Sequence, residues 1–598
     1  MPEKKYLLGN HAVAYGLVEG EIDAAFAYPG TPSSEIMEKL IELSKKENFY
    51  VEWSINEKVA YENAYGCAIS GRKAAVIMKH VGLNVASDSF ITSAYTGIAG
   101  GLTVIVADDP FAHSSQNEQD TRRYIKFAKV PGFEPSSIQE AKDMVSLSLR
   151  FSEKTELPVV VRLVTRISHG KSDVEIKKVK RKKKNVKFEK NPSKFVMVPA
   201  NARKRLKILN EKQKFIKDEI EKLPFNWIDE GEGKLGIVAS GISYQYVREF
   251  LKENNLKIPV LKIGTYPLPE KKIKKFLKKV NELIIFEEGD PVVEEEILIF
   301  LKEINPSCKV NGKRNGVVPE EGELSFEEIE KAYLKVKGKR KKEKKIYSFP
   351  VRKPVLCPGC PHLGTYYIFR KVFGKEAIYP GDIGCYTLGI TLGNIDTCLC
   401  MWAGIGTGAG ISKFEEKRKI ISIIGDSTFF HAGIPGLINS VYNQADHFIA
   451  ILDNRTTAMT GHQPHPGVVK TPMGDNKGRV DIETIVKGCG VTHVKKVNPL
   501  NLKKTLSVLQ KFKELSGVRV IIAEQPCTLF ATKVLKKKSL TYAYVEKQHE
   551  EVEKCLKELA CPAFYKKDGK IFIDESLCSG CMFCVQITNY IKAKKRKS

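Results

Sequence analysis

Apolar positions along the chain follow two rhythms. AAFAYPG (24–30), AAVIMKH (74–80) and GLTVIVADD (101–109) are short continuous runs, the pattern of strands buried on both faces. Between them, EIMEKLIELSKK and EKVAYENAYGCAIS repeat their apolar residues at helical spacing. Residues 1 to about 170 are therefore predicted to form a βαβ sheet. The rhythm returns in KLGIVASG, IPVLKIG and ELIIFEEGD between 234 and about 305, and in KIISIIGD, FIAILDN and RVIIAEQP between 351 and about 540. The stretch from 171 to 232 holds a polar helical segment, RKRLKILNEKQKFIKDEIEKL, and shows no strand pattern. The fold class is α/β, with several parallel-sheet domains.

Length and charge sharpen the boundaries. At 598 residues the chain is too long for one core. Lys and Arg number 97 against 70 Asp and Glu, a net +27. Much of the excess lies in KKVKRKKKNVKFEK (177–190), KGKRKKEKK (337–345) and the tail KAKKRKS, which read as solvated linkers. The expected division is 1–175, an α/β domain; 176–232, a basic linker with a polar helix; 233–310, a second α/β domain; 311–350, a basic linker; 351–545, a third α/β domain; and 546–598, a cysteine-bearing domain with a basic tail. No run reaches the roughly 18 apolar residues of a membrane span. MPEKKYLLGN lacks the apolar segment of a secretory signal. A cytoplasmic chain with no membrane partner is expected. A basic surface attracts acidic proteins, phosphorylated cofactors or nucleic acid; with no aromatic interleaving near the basic runs, nucleic acid is the weakest of these.

Chemistry enters at the strand ends. KIISIIGD closes on Gly425-Asp426-Ser427, and the next strand closes on Asp453-Asn454-Arg455-Thr456. Glycine admits a close ligand, while Asp426 and Asn454 offer hard oxygens suited to Mg²⁺ with a phosphate. Carboxyl ends of parallel strands are where open α/β sheets take ligands. The pair resembles the thiamine diphosphate signature, usually Gly-Asp-Gly followed by Asn-Asn. Here Ser427 replaces the last Gly and Asp453 the first Asn. The resemblance implies that Gly425, Asp426 and Ser427 border the diphosphate, and that Thr456 adds a backbone carbonyl to the Mg²⁺ ligands Asp426 and Asn454. It also implies a glutamate at the aminopyrimidine ring; WSINEKVAYENAYGCAISGRK (53–73) resembles the segment that carries it, at Glu57. The bland reading of Glu57 is a charge complementing a helix start.

Together with YPGTPSSEI (28–36), MKHVGLN (78–84), DDPFAHSSQNEQDTR (108–122), LCPGCPH (356–362), GDIGCYTLG (381–389) and AMTGHQP (458–464), these motifs resemble the indolepyruvate–ferredoxin oxidoreductase α subunits, a branch of the 2-oxoacid–ferredoxin oxidoreductases. The resemblance spans nearly the whole chain except the basic linkers. It implies a multidomain thiamine diphosphate-binding fold: a pyrimidine-binding-type domain (1–175), a transketolase-C-terminal-type domain (233–310), a diphosphate-binding domain (351–545) and a small ferredoxin-type iron–sulfur domain (546–598). It implies oxidation of aryl pyruvates to aryl-acetyl-CoA with ferredoxin as electron acceptor, and a heterodimer with a smaller β subunit. Thr31 is expected near the substrate carboxylate; alternatively Ser33 or Ser34 simply caps the following helix. His80, His113 and Arg122 are further candidates to line the site, or structural residues.

Fourteen cysteines are too many for an indifferent cytosolic chain and too clustered for a disulfide scaffold of this size, which points to metal or redox use. Cys578, Cys581 and Cys584 have C-x₂-C-x₂-C spacing, but Thr588 stands where a ferredoxin's next cysteine would be. In two-cluster ferredoxins the fourth cysteine, the one before proline, ligates the other cluster. On the resemblance, one cluster would use positions 549, 552, 555 and 588, which are His, Val, Cys and Thr. The other would use Cys578, Cys581, Cys584 and Cys561, which precedes Pro562. One [4Fe–4S] centre is expected, with Cys555 left over; zinc on the same thiols or an unmetallated loop are the alternatives. Cys357, Cys360, Cys385 and Cys527 resemble the positions that hold a proximal cluster in related pyruvate enzymes, against a tight C-P-G-C turn and ordinary buried thiols. Cys67, Cys308, Cys398, Cys400 and Cys489 show no such arrangement. Competing functions are an enzyme for another 2-oxo acid, a non-oxidative decarboxylase, or a basic nucleic-acid-binding protein with a structural metal loop.

Overall fold

The structure is a computed structural model, and it describes residues 3–177, 186–339, 354–475, 478–537 and 539–596. It divides into two compact units, Met1–Ile346 and Tyr347–Ser598. The cores of the basic runs, 178–185 and 340–345, and the last two residues of the tail lie outside the described residues.

The first unit is built on a seven-stranded sheet. Its order is Thr265–Tyr266, Gly132–Phe133, Val159–Val164, Gly101–Asp108, Lys73–Lys79, Ala24–Ala27 and Tyr50–Trp53. All neighbours are parallel except the first pair. Every residue of Gly101–Asp108 is buried, and so is every residue of Lys73–Lys79 but the last. This continuity made the two strands readable as a sheet covered on both faces. The carboxyl ends of Ala24–Ala27, Lys73–Lys79 and Gly101–Asp108 lead into the Thr31 turn, the His80 helix and the Asp109 loop. A second sheet in this unit has the order Lys309–Asn311, Glu282–Phe286, Leu235–Ser240, Val260–Ile263 and Trp227–Asp229.

Two expectations need correction here. The stretch 171–232 does contain strands: Lys171–Ile176 pairs antiparallel with Glu3–Leu8, and Trp227–Asp229 pairs antiparallel with Val260–Ile263. Both are short edge pairings whose partners are distant in sequence, so neither has a period to read. The region 311–350 is not plain linker, because Phe326–Val336 forms a helix that buries Ile329 and Ala332. Its apolar positions were diluted by Glu and Lys. The polar helix of the first linker is present as Pro199–Glu221.

The second unit holds a parallel four-stranded sheet in the order Ile421–Gly425, Phe448–Asp453, Arg519–Glu524 and His493–Val497. Gly425 pairs in register with Leu452, so Asp426 and Asp453 leave adjacent strand ends side by side. The tail adds the helix Glu550–Leu559 and two antiparallel pairs, Thr541–Val545 with Ile591–Lys595 and Phe564–Lys567 with Lys570–Ile573. Val552, Cys555, Leu559, Cys584 and Ile591 are buried in one apolar cluster with Phe448 and Ile521 of the sheet. Among the described residues no helix is long and apolar enough to cross a membrane.

Candidate active site

In the second unit, Gly425 is required by close approach, since a Cβ there would lie 2.6 Å from the Tyr386 ring. The buried Asp426 accepts backbone N–H groups from Ser427 at Oδ1 and from Arg455 at Oδ2, both at 2.8 Å. His465 Nε2 is 3.1 Å from the same Oδ2. Burial opposes charge on Asp426, but His465 and the backbone donors hold its carboxyl below the usual range. Asp453 is pushed up by burial and by the charge of Asp426. Asn454 Oδ1 accepts the Thr456 N–H at 3.1 Å, and its Nδ2 lies 3.5 Å from His362 Nε2. Burial drives His362 down to about 4, so this imidazole is neutral. Between the two polar residues, Arg455 adopts a left-handed φ of 66° and its guanidinium pairs with Glu524. Such backbone strain gathers at ligand sites. Thr457 Oγ1 donates to Ser427 Oγ at 3.0 Å, closing the two strand ends together. The predicted residues Gly425, Asp426, Ser427, Asn454 and Thr456 thus meet in one place, and their oxygens are the hard donors that suit Mg²⁺. His362 and His465 were missed, because single histidines carry no period; the signal was their position in and just after LCPGCPH and AMTGHQP.

Cys357, Cys360, Cys385 and Cys527 line one cavity of ≈ 250 Å³ together with His362 and Asn454. Burial and the other three sulfurs push the Cys360 thiol well up. Cys385 is pushed up to about 12 by burial, by Cys527 and Cys357, and by Asp426. The four thiols therefore border the strand-end site.

The tail thiols form a second group. Burial raises Cys584 far above its ordinary value, and Cys555, Cys581, Cys561 and Cys578 add to this in that order. Cys561 accepts backbone N–H groups from Ala563 and Gly359, and Cys578 accepts the Ala543 N–H at 3.4 Å. Gly359, in the C-P-G-C turn, has φ 69°, and a Cβ there would lie 1.7 Å from Ser579 Oγ. The turn therefore packs directly on the Cys578–Cys584 loop. Cys555 is not an isolated thiol: it is buried beside Cys561 and Cys584. Among the described residues, no three His, Cys, Asp or Glu side chains converge on a point suited to a single metal ion.

In the first unit, Glu57 opens the helix Glu57–Ile69, whose Asn56 side chain accepts the Val59 N–H at 2.8 Å. Glu57 is itself buried, and Gly82 makes room for it, since a Cβ there would stand 2.6 Å from Glu57 Cγ. A buried carboxylate held against a glycine is more than a solvated charge at a helix start. The Thr31 carbonyl accepts the Ser114 hydroxyl at 3.4 Å. Neither Ser33 nor Ser34 caps the helix: Ser33 Oγ donates to Gly30 O and Ser34 Oγ accepts the Gly30 N–H, so both hydroxyls fold the turn back on itself. His80 is buried with Nε2 3.3 Å from Asn117 O, and His113 pairs with Glu323 at 3.0 Å. Arg122 is fully buried in an ionic lattice, bonded to Asp120 at 2.6 Å, to Glu287 at 2.7 Å and to the carbonyls of Glu288 and Asp290. It ties the two sheets of this unit together, and its donors are spent there.

Residues 15–223 match the family described as pyruvate flavodoxin/ferredoxin oxidoreductase, thiamine diphosphate-binding, and residues 382–523 match the thiamine pyrophosphate enzyme C-terminal TPP-binding domain. Among similar proteins, the indolepyruvate oxidoreductase subunit IorA of Archaeoglobus fulgidus is 44% identical over 100% of this chain and 98% of its own length. The proteins of that name from Methanothermobacter thermautotrophicus and Thermococcus kodakarensis are 42% and 41% identical, each over 98% of this chain and 96% of its own. The solved 2-oxoglutarate:ferredoxin oxidoreductase of Magnetococcus marinus aligns with TM-score 0.43 and 15% identity, over 52% of this chain and 62% of that one. With full-length identity at this level and both thiamine-binding segments matched, the chain belongs to the indolepyruvate oxidoreductase IorA-subunit family, enzymes of the thiamine-dependent 2-oxoacid oxidoreductase class.

Proposed function

We propose that this chain is the catalytic subunit of an enzyme that converts aryl pyruvates, indolepyruvate among them, to aryl-acetyl-CoA. The reaction balances as 2-oxo acid carboxylate and CoA thiol giving acyl-CoA, CO₂, one proton and two electrons, the electrons passing to ferredoxin. The observation that carries the reading is the cavity in which Asn454 and His362 share walls with four cysteines. It sets hard oxygen donors for a metal–diphosphate beside soft sulfurs suited to iron. The name shared by the relatives supports the substrate and a partner subunit.

Asp426, Asn454 and the Thr456 carbonyl would hold Mg²⁺, and Gly425 and Ser427 would border the diphosphate. When bound, thiamine diphosphate supplies the electron sink for decarboxylation. Glu57, packed against Gly82, would offer its carboxyl to the aminopyrimidine as the group that accepts or returns a proton. Thr31 borders the substrate. Cys561, Cys578, Cys581 and Cys584 would hold one [4Fe–4S] centre, and Cys357, Cys360, Cys385 and Cys527 would hold a second. A smaller β subunit completes the heterodimer.

Anaerobic purification of the complex with iron, acid-labile sulfide, zinc and thiamine diphosphate determinations tests this, with aryl pyruvate- and CoA-dependent reduction of ferredoxin. About eight irons per chain are expected for two cubanes and about four for the tail centre alone. Zinc without sulfide, or activity with pyruvate or 2-oxoglutarate in place of aryl pyruvates, overturns the corresponding part.

A further inference from the structure

Lys79 is a cation that the chemistry above leaves unused. It ends the strand Lys73–Lys79 at the carboxyl edge of the seven-stranded sheet. Its methylene stem crosses the Thr31 turn, because a Cβ on Gly30 would lie 3.3 Å from both Cγ and Cδ of Lys79. Its ammonium donates to Ser114 O at 3.0 Å. Ser114 in turn reaches Thr31 O at 3.4 Å and Asp109 Oδ2 at 3.2 Å.

An ammonium has three donors, and this one makes one hydrogen bond among the described residues. The nearby acids do not use up the rest. Asp109 is already bonded to Ser114, Ser115 and Thr165. Asp109 and Glu57 act on Lys79 electrostatically, yet burial dominates and lowers the lysine to about 8. A partly buried ammonium with spare donors favours an anion. With two carboxylates close by, a monoanion suits the place better than a phosphate dianion, which they would repel more strongly.

We propose that Lys79 binds the carboxylate of the 2-oxo acid and holds it against the Thr31 turn. The inference rests on the reading of the Glu57–Thr31 face as the substrate side. The carboxylate leaves as neutral CO₂ when its C–C bond breaks, so the contact is made in the ground state. It therefore acts on affinity, and its loss raises KM more than it lowers kcat.

The test uses the full chain with its partner subunit, as wild type, Lys79→Met and Lys79→Arg, titrated calorimetrically with indole-3-lactate and with its primary amide. Wild type should prefer the acid. Lys79→Met should lose about 10- to 100-fold in acid affinity, the worth of one charge-assisted hydrogen bond, and bind the amide unchanged, which also reports an intact fold. Lys79→Arg should keep part of the acid preference. In turnover, KM for indolepyruvate should rise by a similar factor in Lys79→Met. Equal losses for acid and amide, or no loss for either, overturn the proposal. Wild type that oxidises aryl pyruvate while Lys79→Met retains acid affinity removes Lys79 alone; wild type that neither binds the acid nor oxidises an aryl pyruvate removes the functional reading with it.

Discussion

On the proposed reading two thiols could close the tail centre, the buried Cys555 and the half-buried Cys561, and alanine at each separates them. Cys555 has no exposure and packs with Val552, Leu559 and Ile591. It faces Cys561 and the Glu558 carboxylate, and burial with these neighbours pushes it up to about 12. A thiolate there would be a desolvated anion beside another anion. Cys561 instead receives N–H donors from Ala563 and Gly359, the support a ligating sulfur needs. Cys555→Ala removes one packed sulfur and leaves a small void, which costs about 1–2 kcal/mol. Iron and sulfide should stay unchanged, with a modest drop in the thermal midpoint, roughly 2–4 °C per kcal/mol in a unit of this size. Cys561→Ala removes a ligand, so about four irons and four sulfides per chain should be lost, and the stability coupled to the metal goes with them. Anaerobic iron and sulfide determination with low-temperature EPR of the dithionite-reduced complex reads both variants. Loss of the four irons in Cys555→Ala with retention in Cys561→Ala would refute the assignment.

Gly359→Ala should also lower tail iron, because it combines a left-handed φ, about 1 kcal/mol for a side chain, with a Cβ placed 1.7 Å from Ser579 Oγ; full iron at a normal midpoint would mean that the turn can move aside. Asp426→Asn keeps the shape but loses the charge that faces Arg455 N and His465, so thiamine diphosphate affinity in Mg²⁺ buffer should fall at least about 100-fold by fluorescence titration, the worth of a pair of charged contacts. Glu57→Gln should bind the cofactor normally yet lose about 10²- to 10⁴-fold in kcat; near-normal turnover would take Glu57 out of the chemistry. Arg122→Met strands Asp120 and Glu287 in the interior, a loss of about 3–5 kcal/mol. A stable variant with only a raised KM would place Arg122 at the substrate instead.

The long strands were legible almost residue by residue, since a strand buried on both faces is a continuous apolar run. The short ones were not. Gly132–Phe133 and Thr265–Tyr266 are two residues each, too short to show a period, and are defined by pairing with each other and, for Gly132–Phe133, with Val159–Val164. Val159–Val164 is apolar apart from Arg162, a fully buried cation that only the structure explains, through Asp108 and Glu134. In the site, Asp426 and Asn454 could be read because each follows a strong strand. The grouping of Cys357, Cys360, Cys385 and Cys527 came from the family resemblance; spacing alone gave only a C-P-G-C turn. The approach of Cys555 to Cys584 is tertiary, set by how the helix Glu550–Leu559 packs, and no spacing announces it. Lys79 lay in a quoted motif, but its burial over Gly30 depends on two separate strand ends.

On the proposed single-centre reading, the positions that depart from the two-cluster pattern give a physical reason for such a loss to be all or none. A cubane fills space as well as binding thiolates, and a void left behind costs on the order of 24 cal/mol per Å³. His549 stacks on Tyr590 with ring centroids 3.9 Å apart. Val552 is wholly buried in the tail core. Thr588 is buried and donates to Glu551 at 2.6 Å. An aromatic stack, an aliphatic side chain and a satisfied hydroxyl together supply packing and polar closure where the pattern would put three ligands. One such change alone would leave thiols around an incomplete cluster; the three together make ordinary protein interior, with Cys555 buried in it. On that reading the chain keeps one full set of tail thiols, Cys561, Cys578, Cys581 and Cys584, with the Gly359 turn packed on Ser579 and Cys581. Electrons leaving the strand-end site would then have a single tail centre to reach, so loss of any of its four thiols, Cys561 among them, would cut that route, whereas loss of Cys555 would not.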